Sequence, residues 1–207
     1  MGFVKGQHVN VEHSQERQGQ RDLTGLTESL RSHDPFRRRW AARDLIAYPT
    51  AIDALLSQLR VESDREVRAA IFTTLSQFDN LSAAKGLISF LHSEDVALRN
   101  NAIDALKLMP SALAPLMDDL LQDPSTDVRI LAVNVLESLR HPQVEQWLIR
   151  VVAQDPHVNV CATAVDLLSE VGTQAAVQPL LTLKSRFSAE PFMHFAIDVA
   201  LKRIQGE

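Results

Sequence analysis

The chain is poor in the residues that mark most structural and catalytic classes. Of its 207 residues only 7 are glycine and 5% are aromatic, too few for an all-β sandwich or barrel, which needs turn residues at intervals of about ten positions. A single cysteine, Cys161, excludes an internal disulfide and fits a reducing compartment, so the expected location is cytoplasmic. No apolar run approaches the roughly 20 residues that span a bilayer, and the first ten residues carry no hydrophobic signal core, so no membrane association is expected. His-Glu-x-x-His, a Gly-rich phosphate loop, Cys-x-x-Cys and Gly-x-Ser-x-Gly are all missing, and neither a cofactor nor a metal is expected. His157 stands four residues before Cys161, the spacing of a base one turn from a thiol. Cys161 also occupies a regular apolar position, and a structural role as a small buried residue is the favoured reading.

What is present is helical patterning and an uneven charge. The formal net charge of -5 divides into +2 over residues 1–60 and -7 over residues 61–207, a mostly acidic body that ranks nucleic acid well below protein as a partner. The exception is Arg37, Arg38, Arg39 and Arg43, which with Trp40 form a candidate anion or partner patch. Residues 1–20 lack any sustained period and read as a disordered tail.

From residue 21 to 207 one line recurs: an acidic residue, a short gap, an apolar residue, Arg, then Ala and Leu three and seven positions on. Copies run through Asp64, Val67, Arg68, Ile71, Leu75; Asp95, Leu98, Arg99, Ala102, Leu106; and Asp123, Val128, Arg129, Ala132, Leu136. Cys161 replaces the arginine in the next, and weaker copies extend to Arg39 and Met193, giving anchors at 39, 68, 99, 129, 161 and 193. Between them lie second apolar segments with offsets of three and four, such as Ile52, Leu55, Leu56, Leu59 and Val144, Trp147, Leu148, Val151. Pro49, Asp79-Asn80, Pro110, Pro142 and Gly172 punctuate the pairs, and Asp34-Pro35, Asp123-Pro124 and Asp155-Pro156 read as capped helix starts. A helix pair cannot bury its apolar face alone, so the predicted fold is an all-α solenoid of about six stacked antiparallel pairs.

Asp64-Arg65-Glu66-Val67-Arg68-Ala69-Ala70 and Asp127-Val128-Arg129-Ile130-Leu131-Ala132, with Ala112 to Leu116 reading Ala-x-Ala-Pro-Leu, resemble HEAT-like repeats, specifically the short repeats also seen in phycobiliprotein lyases. The resemblance covers about residues 21–204. It implies Asp–Arg pairing near the turns for Asp64, Arg68, Asp95, Arg99, Asp127 and Arg129, with apolar contact substituting where Cys161 and Met193 break the ladder. HEAT-repeat hydroxylases hold iron with His-Glu pairs, and no histidine here is followed by Glu.

The working surface of such a solenoid is its concave side, lined by second helices. Aligning those helices puts Ser57, Lys85, Ser89, Phe90, Asp118, Asp119, Glu145, Ile149 and Arg150 on a mixed apolar and charged strip, a composition that suits a protein partner. The expected function is therefore a non-enzymatic scaffold or adaptor. Bilin lyase-like or tetrapyrrole-handling activity, implied by the repeat resemblance alone, is the alternative, and DNA binding through the arginine cluster ranks third.

Overall fold

The computed structural model describes residues 21–206, all of whose regular elements are helical, and the expected tail at residues 1–20 lies outside the described residues. The chain divides into two compact units, Met1–Leu87 and Ile88–Glu207.

In the first unit, α1 (Leu23–Ser29) and α2 (Pro35–Asp44) precede two 3-10 turns, followed by α3 (Ile52–Leu59), α4 (Arg65–Gln77) and α5 (Leu81–Ile88). Each start has a local cause. Asp22, Asp34 and Asp64 accept hydrogen bonds from amides of the first turns of α1, α2 and α4, and Pro35 fills the first position of α2, where no amide is needed. Asp79 takes a positive φ of 38° in the turn between α4 and α5, a conformation that Asp tolerates better than most side chains. α2 packs on α4, and Thr74 Oγ1 donates to the Ala42 carbonyl at 2.8 Å across that contact. The core takes Ala42, Leu45, Leu55, Leu59, Val67, Ile71, Leu75 and Leu87. At Gly86 a Cβ would sit 2.2 Å from Leu56 Cδ1, so the close approach of α5 to α3 depends on the missing side chain.

The second unit holds α6 (Val96–Lys107), α7 (Pro110–Leu113), α8 (Met117–Leu120), α9 (Thr126–Leu136), α10 (Val144–Gln154), α11 (Val158–Val171), α12 (Gln174–Arg186) and α13 (Pro191–Gln205). The second helix expected around Leu113–Leu120 is broken into α7, a 3-10 turn and α8, because Pro115 has no amide to continue the ladder. First helices stack in order, α6 on α9, α9 on α11 and α11 on α13, and second helix α10 stacks on α12. This repeated stacking of helix pairs is the arrangement of an α-solenoid. Trp147 sits in the core, its ring stacked on His141 at 4.9 Å.

The arginine ladder is real, but its outer register and the partners of Arg38 and Arg129 differ from the expectation. In each copy the ladder residue stands four positions after the capping residue: Asp34 and Arg38, Asp64 and Arg68, Asp95 and Arg99, Ser125 and Arg129, His157 and Cys161, Glu190 and His194. The outer anchors are thus Arg38 and His194 rather than Arg39 and Met193; Met193 is fully buried. The ladder guanidinium donates to the carbonyl six residues earlier, from Arg38 to Ser32 at 2.8 Å, Arg68 to Glu62 at 2.6 Å, Arg99 to Ser93 at 2.6 Å and Arg129 to Asp123 at 2.9 Å. These bonds give a charged donor to part-buried loop carbonyls.

The aspartates of the ladder also have local roles. Asp64 and Asp95 cap their own helices, and Asp127 lies exposed in the first turn of α9. Two carboxylates that clamp ladder arginines are Glu62, bound by Arg38 Nε at 2.7 Å and Nη2 at 2.8 Å, and Asp155, bound by Arg129 Nε at 2.7 Å. Asp123 and Asp155 do not cap either: the caps are Ser125 and His157, two residues on, while each aspartate accepts from the amide of that capping residue at 2.8 Å.

A candidate protein-binding cleft

A cleft of about 380 Å³ opens in the second unit between α8 and α10 and the loops that follow them. Leu121 and Val151 give it an apolar floor; Asp118, Gln122, Asp123, Arg150 and Gln154 supply a polar rim. Pro124, Pro156, Arg129 and Asp155 complete the lining. Asp118 Oδ1 and Arg150 Nη1 meet at 2.8 Å across successive second helices, and His92 Nε2 approaches Asp123 Oδ2 at 3.2 Å. Both Asp118 and Arg150 keep more than a third of their side-chain surface exposed, so their pairing adds little stability and remains open to exchange for another partner.

The structure brings together part of the predicted strip. Asp118 and Arg150 both line the cleft and pair across it, Asp119 is exposed on α8 but does not line it, and Ile149 is half-buried beside Arg150. Phe90 is not on the surface: only 4% exposed, it faces the core from a 3-10 turn over Ser89–His92, whose tighter winding shifts it off the helical phase assumed for the strip. Ser89 on the same turn is exposed. Glu145 is engaged within the fold, accepting from the Thr173 amide at 2.6 Å and from Thr173 Oγ1 at 2.8 Å at the start of α12. Ser57 and Lys85 are exposed in the first unit, on α3 and α5. Leu121, Gln122 and Gln154, which line the cleft, escaped the sequence reading because they stand at helix ends, where periodicity says least.

The arginine patch is also only partly as expected. Arg38 turns inward to Glu62, whereas Arg37 and Arg43 are exposed and Arg39 and Trp40 are half-buried. Burial pushes the Glu62 carboxyl up, but hydrogen bonds from Arg38, the Asp64 amide and Gln58 outweigh it and bring its pKa down to about 2.

Cys161 and His157 do not form a catalytic pair. His157 caps α11, its Nδ1 accepting from the Asn159 amide, and its side chain is exposed. The buried thiol lies 3.3 Å from the Asp155 carbonyl and accepts from Arg186 Nη2 at 3.1 Å. Burial pushes its pKa up to about 11, which keeps it protonated and unreactive at neutral pH. Among the described residues, no group of three or more His, Cys, Asp or Glu is placed to hold a metal ion, and no helix is long and apolar enough to cross a membrane.

HEAT repeats match the chain over residues 52–118 and 113–186. Solved structures similar to it include human deoxyhypusine hydroxylase in complex with glycerol, at 19% identity over 88% of this chain and 73% of that one, with a TM-score of 0.47. The complex of CpcE and CpcF of phycocyanin lyase from Nostoc sp. PCC7120 matches at 22% identity over 86% of this chain and 85% of that one, with a TM-score of 0.37. An engineered protein matches at 18% identity over 87% of this chain and 95% of that one, with a TM-score of 0.41. Comparison with curated proteins finds no match. With the repeats matched across more than half its length, and the helix pairs stacked as such repeats require, the chain belongs to the HEAT repeat family.

Proposed function

We propose that this protein is a non-enzymatic adaptor that holds a protein partner on the second-helix face of its second unit, over the cleft between α8 and α10. The observation that carries the reading is the make-up of that cleft: an apolar floor of Leu121 and Val151 inside a rim of Asp118, Gln122, Asp123 and Arg150, with Asp119 exposed alongside. An apolar floor within a charged rim is the anatomy of a protein interface. The rim carries more carboxylates than cations, so the partner presents an apolar side chain flanked by basic ones. The reading also fits a cytoplasmic protein, since its one cysteine is a buried thiol.

The test compares the wild type with Asp118→Lys/Asp119→Lys as baits in a native lysate, with mass-spectrometric identification. A partner held in stoichiometric amount by the wild type and lost from the variant, whose melting curve stays within about 1 kcal/mol of the wild type, supports the adaptor. Equal capture by both baits removes the cleft from the account. A coloured tetrapyrrole co-purifying with the wild type points to the bilin-handling alternative instead.

A further inference from the structure

One surface of the first unit is left unexplained by the fold and by the cleft. Phe36, Arg39, Trp40 and Arg43 stand at positions i, i+3, i+4 and i+7 of α2, which puts them on one face. The guanidinium carbon of Arg39 lies 5.3 Å from the Phe36 ring centre and 6.0 Å from that of Trp40, and that of Arg43 lies 5.2 Å from Trp40. Aromatic and guanidinium groups therefore alternate along the helix. α2 makes its packing contacts through Ala41 and Ala42 on the other side, and Phe36 stays 51% exposed. Arg37 lies on the flank of the stripe, exposed like Arg43, and among the described residues neither has a carboxylate partner. Arg39 reaches the exposed Glu66 only at 3.8 Å. Beside the stripe is a hollow of about 120 Å³ walled by Pro35, Phe36, Arg39, Asp64 and Glu66, room for one apolar side chain.

We propose that this stripe is a second docking site, for an acidic peptide segment that places an apolar side chain against Phe36 and its carboxylates on Arg37, Arg39 and Arg43. Charge complementarity selects the occupant. Two guanidiniums without a carboxylate partner among the described residues and a third in a loose surface pair match the peptide's carboxylates, while its apolar side chain enters the hollow beside Phe36. The chemistry is that of a binding hot spot, in which Trp and Arg dominate. Stacking on the rings holds the guanidiniums in place before the partner arrives, which lowers the ordering cost of binding. This surface is independent of the cleft and stands or falls separately.

The experiment uses the full chain and fluorescence anisotropy with a panel of fluorescein-labelled peptides, each setting one leucine, phenylalanine or tryptophan among Asp and Glu residues. Amide-substituted versions and a labelled oligo-uridine serve as comparisons. The expected result is saturable binding of acidic peptides that weakens at least about tenfold in Arg39→Glu/Arg43→Glu. It also weakens with added salt and is unchanged in Asp118→Lys/Asp119→Lys. Phe36→Ala, a substitution at an exposed side chain, weakens binding with an unaltered melting curve, which separates loss of the site from loss of the fold. Failure of the whole panel to bind, or equal binding by the double-glutamate variant, overturns the proposal. Tighter binding of oligo-uridine, lost in that same variant, overturns it in favour of a nucleic-acid site.

Discussion

Arg186 Nη2 donates to the carbonyl of Asp155 at 2.8 Å and to Sγ of Cys161 at 3.1 Å. That carbonyl lies six residues before Cys161, the place that a ladder arginine serves in the other copies. The guanidinium missing from position 161 is thus supplied by the end of α12, and Arg129 clamps the Asp155 carboxylate as Arg38 clamps Glu62. The expected substitution of apolar contact for the ladder at this copy does not occur, because the loop carbonyl still needs a donor.

Arg186→Leu is therefore expected to destabilise the second unit by about 1–3 kcal/mol, the cost of leaving the part-buried Asp155 carbonyl with only the weak thiol donor of Cys161. Moving the arginine back, in Cys161→Arg/Arg186→Leu, recovers a good part of that loss. Denaturant melts of the single and double variants measure the coupling; additive effects would show that the two positions are independent.

Glu62 makes stability acid-sensitive in a defined window. Its pKa is about 2 in the fold against an ordinary 4.5, so its contribution is complete above pH 4.5 and is lost as pH falls towards 2. At full strength the shift is worth about 3 kcal/mol. Glu62→Gln should lower stability at pH 7 and flatten the dependence between pH 4.5 and 2. Parallel acid melts of wild type and variant that keep the same slope in that window would remove the role assigned to the Arg38 clamp.

The Cys161 thiol should resist iodoacetamide at neutral pH in the folded protein and react at an ordinary rate once the chain is unfolded, because burial holds its pKa at about 11. Above the ordinary value of 9.0 the unfolded chain loses this proton first, so stability falls as pH rises from 9.0 towards 11. Rapid labelling under native conditions would mean that α11 opens readily.

Leu136→Asp places a carboxylate at a side chain only 1% exposed and should cost several kcal/mol, on the order of 4, in the central repeats. An unchanged melting profile would mean that the repeat register is wrong.

Much of the fold was legible because helix pairs repeat: Leu75, Leu106, Leu136 and Leu168 recur at one position, and all are buried. The register slipped at the ends. Arg39 and Met193 share the spacing of the ladder, but the spacing from cap to ladder residue is the tighter rule, and it selects Arg38 and His194. Side-chain partners were less legible than positions. Arg129 chooses Asp155, 26 residues away, over nearby Asp127, because the loop that feeds α11 turns Asp155 towards α9. Phe90 misled because helical phase was assumed through a 3-10 turn, and the cleft was missed because Leu121, Gln122 and Gln154 belong to helix ends.

The central claim is that the cleft between α8 and α10 holds a protein. Its most direct measurement is quantitative affinity capture from a native lysate with the wild type, Asp118→Lys/Asp119→Lys and Arg39→Glu/Arg43→Glu side by side. The account predicts one stoichiometric partner retained by the wild type and by the arginine variant and lost from the aspartate variant. Equal retention by all three, or no protein retained by any, would contradict it.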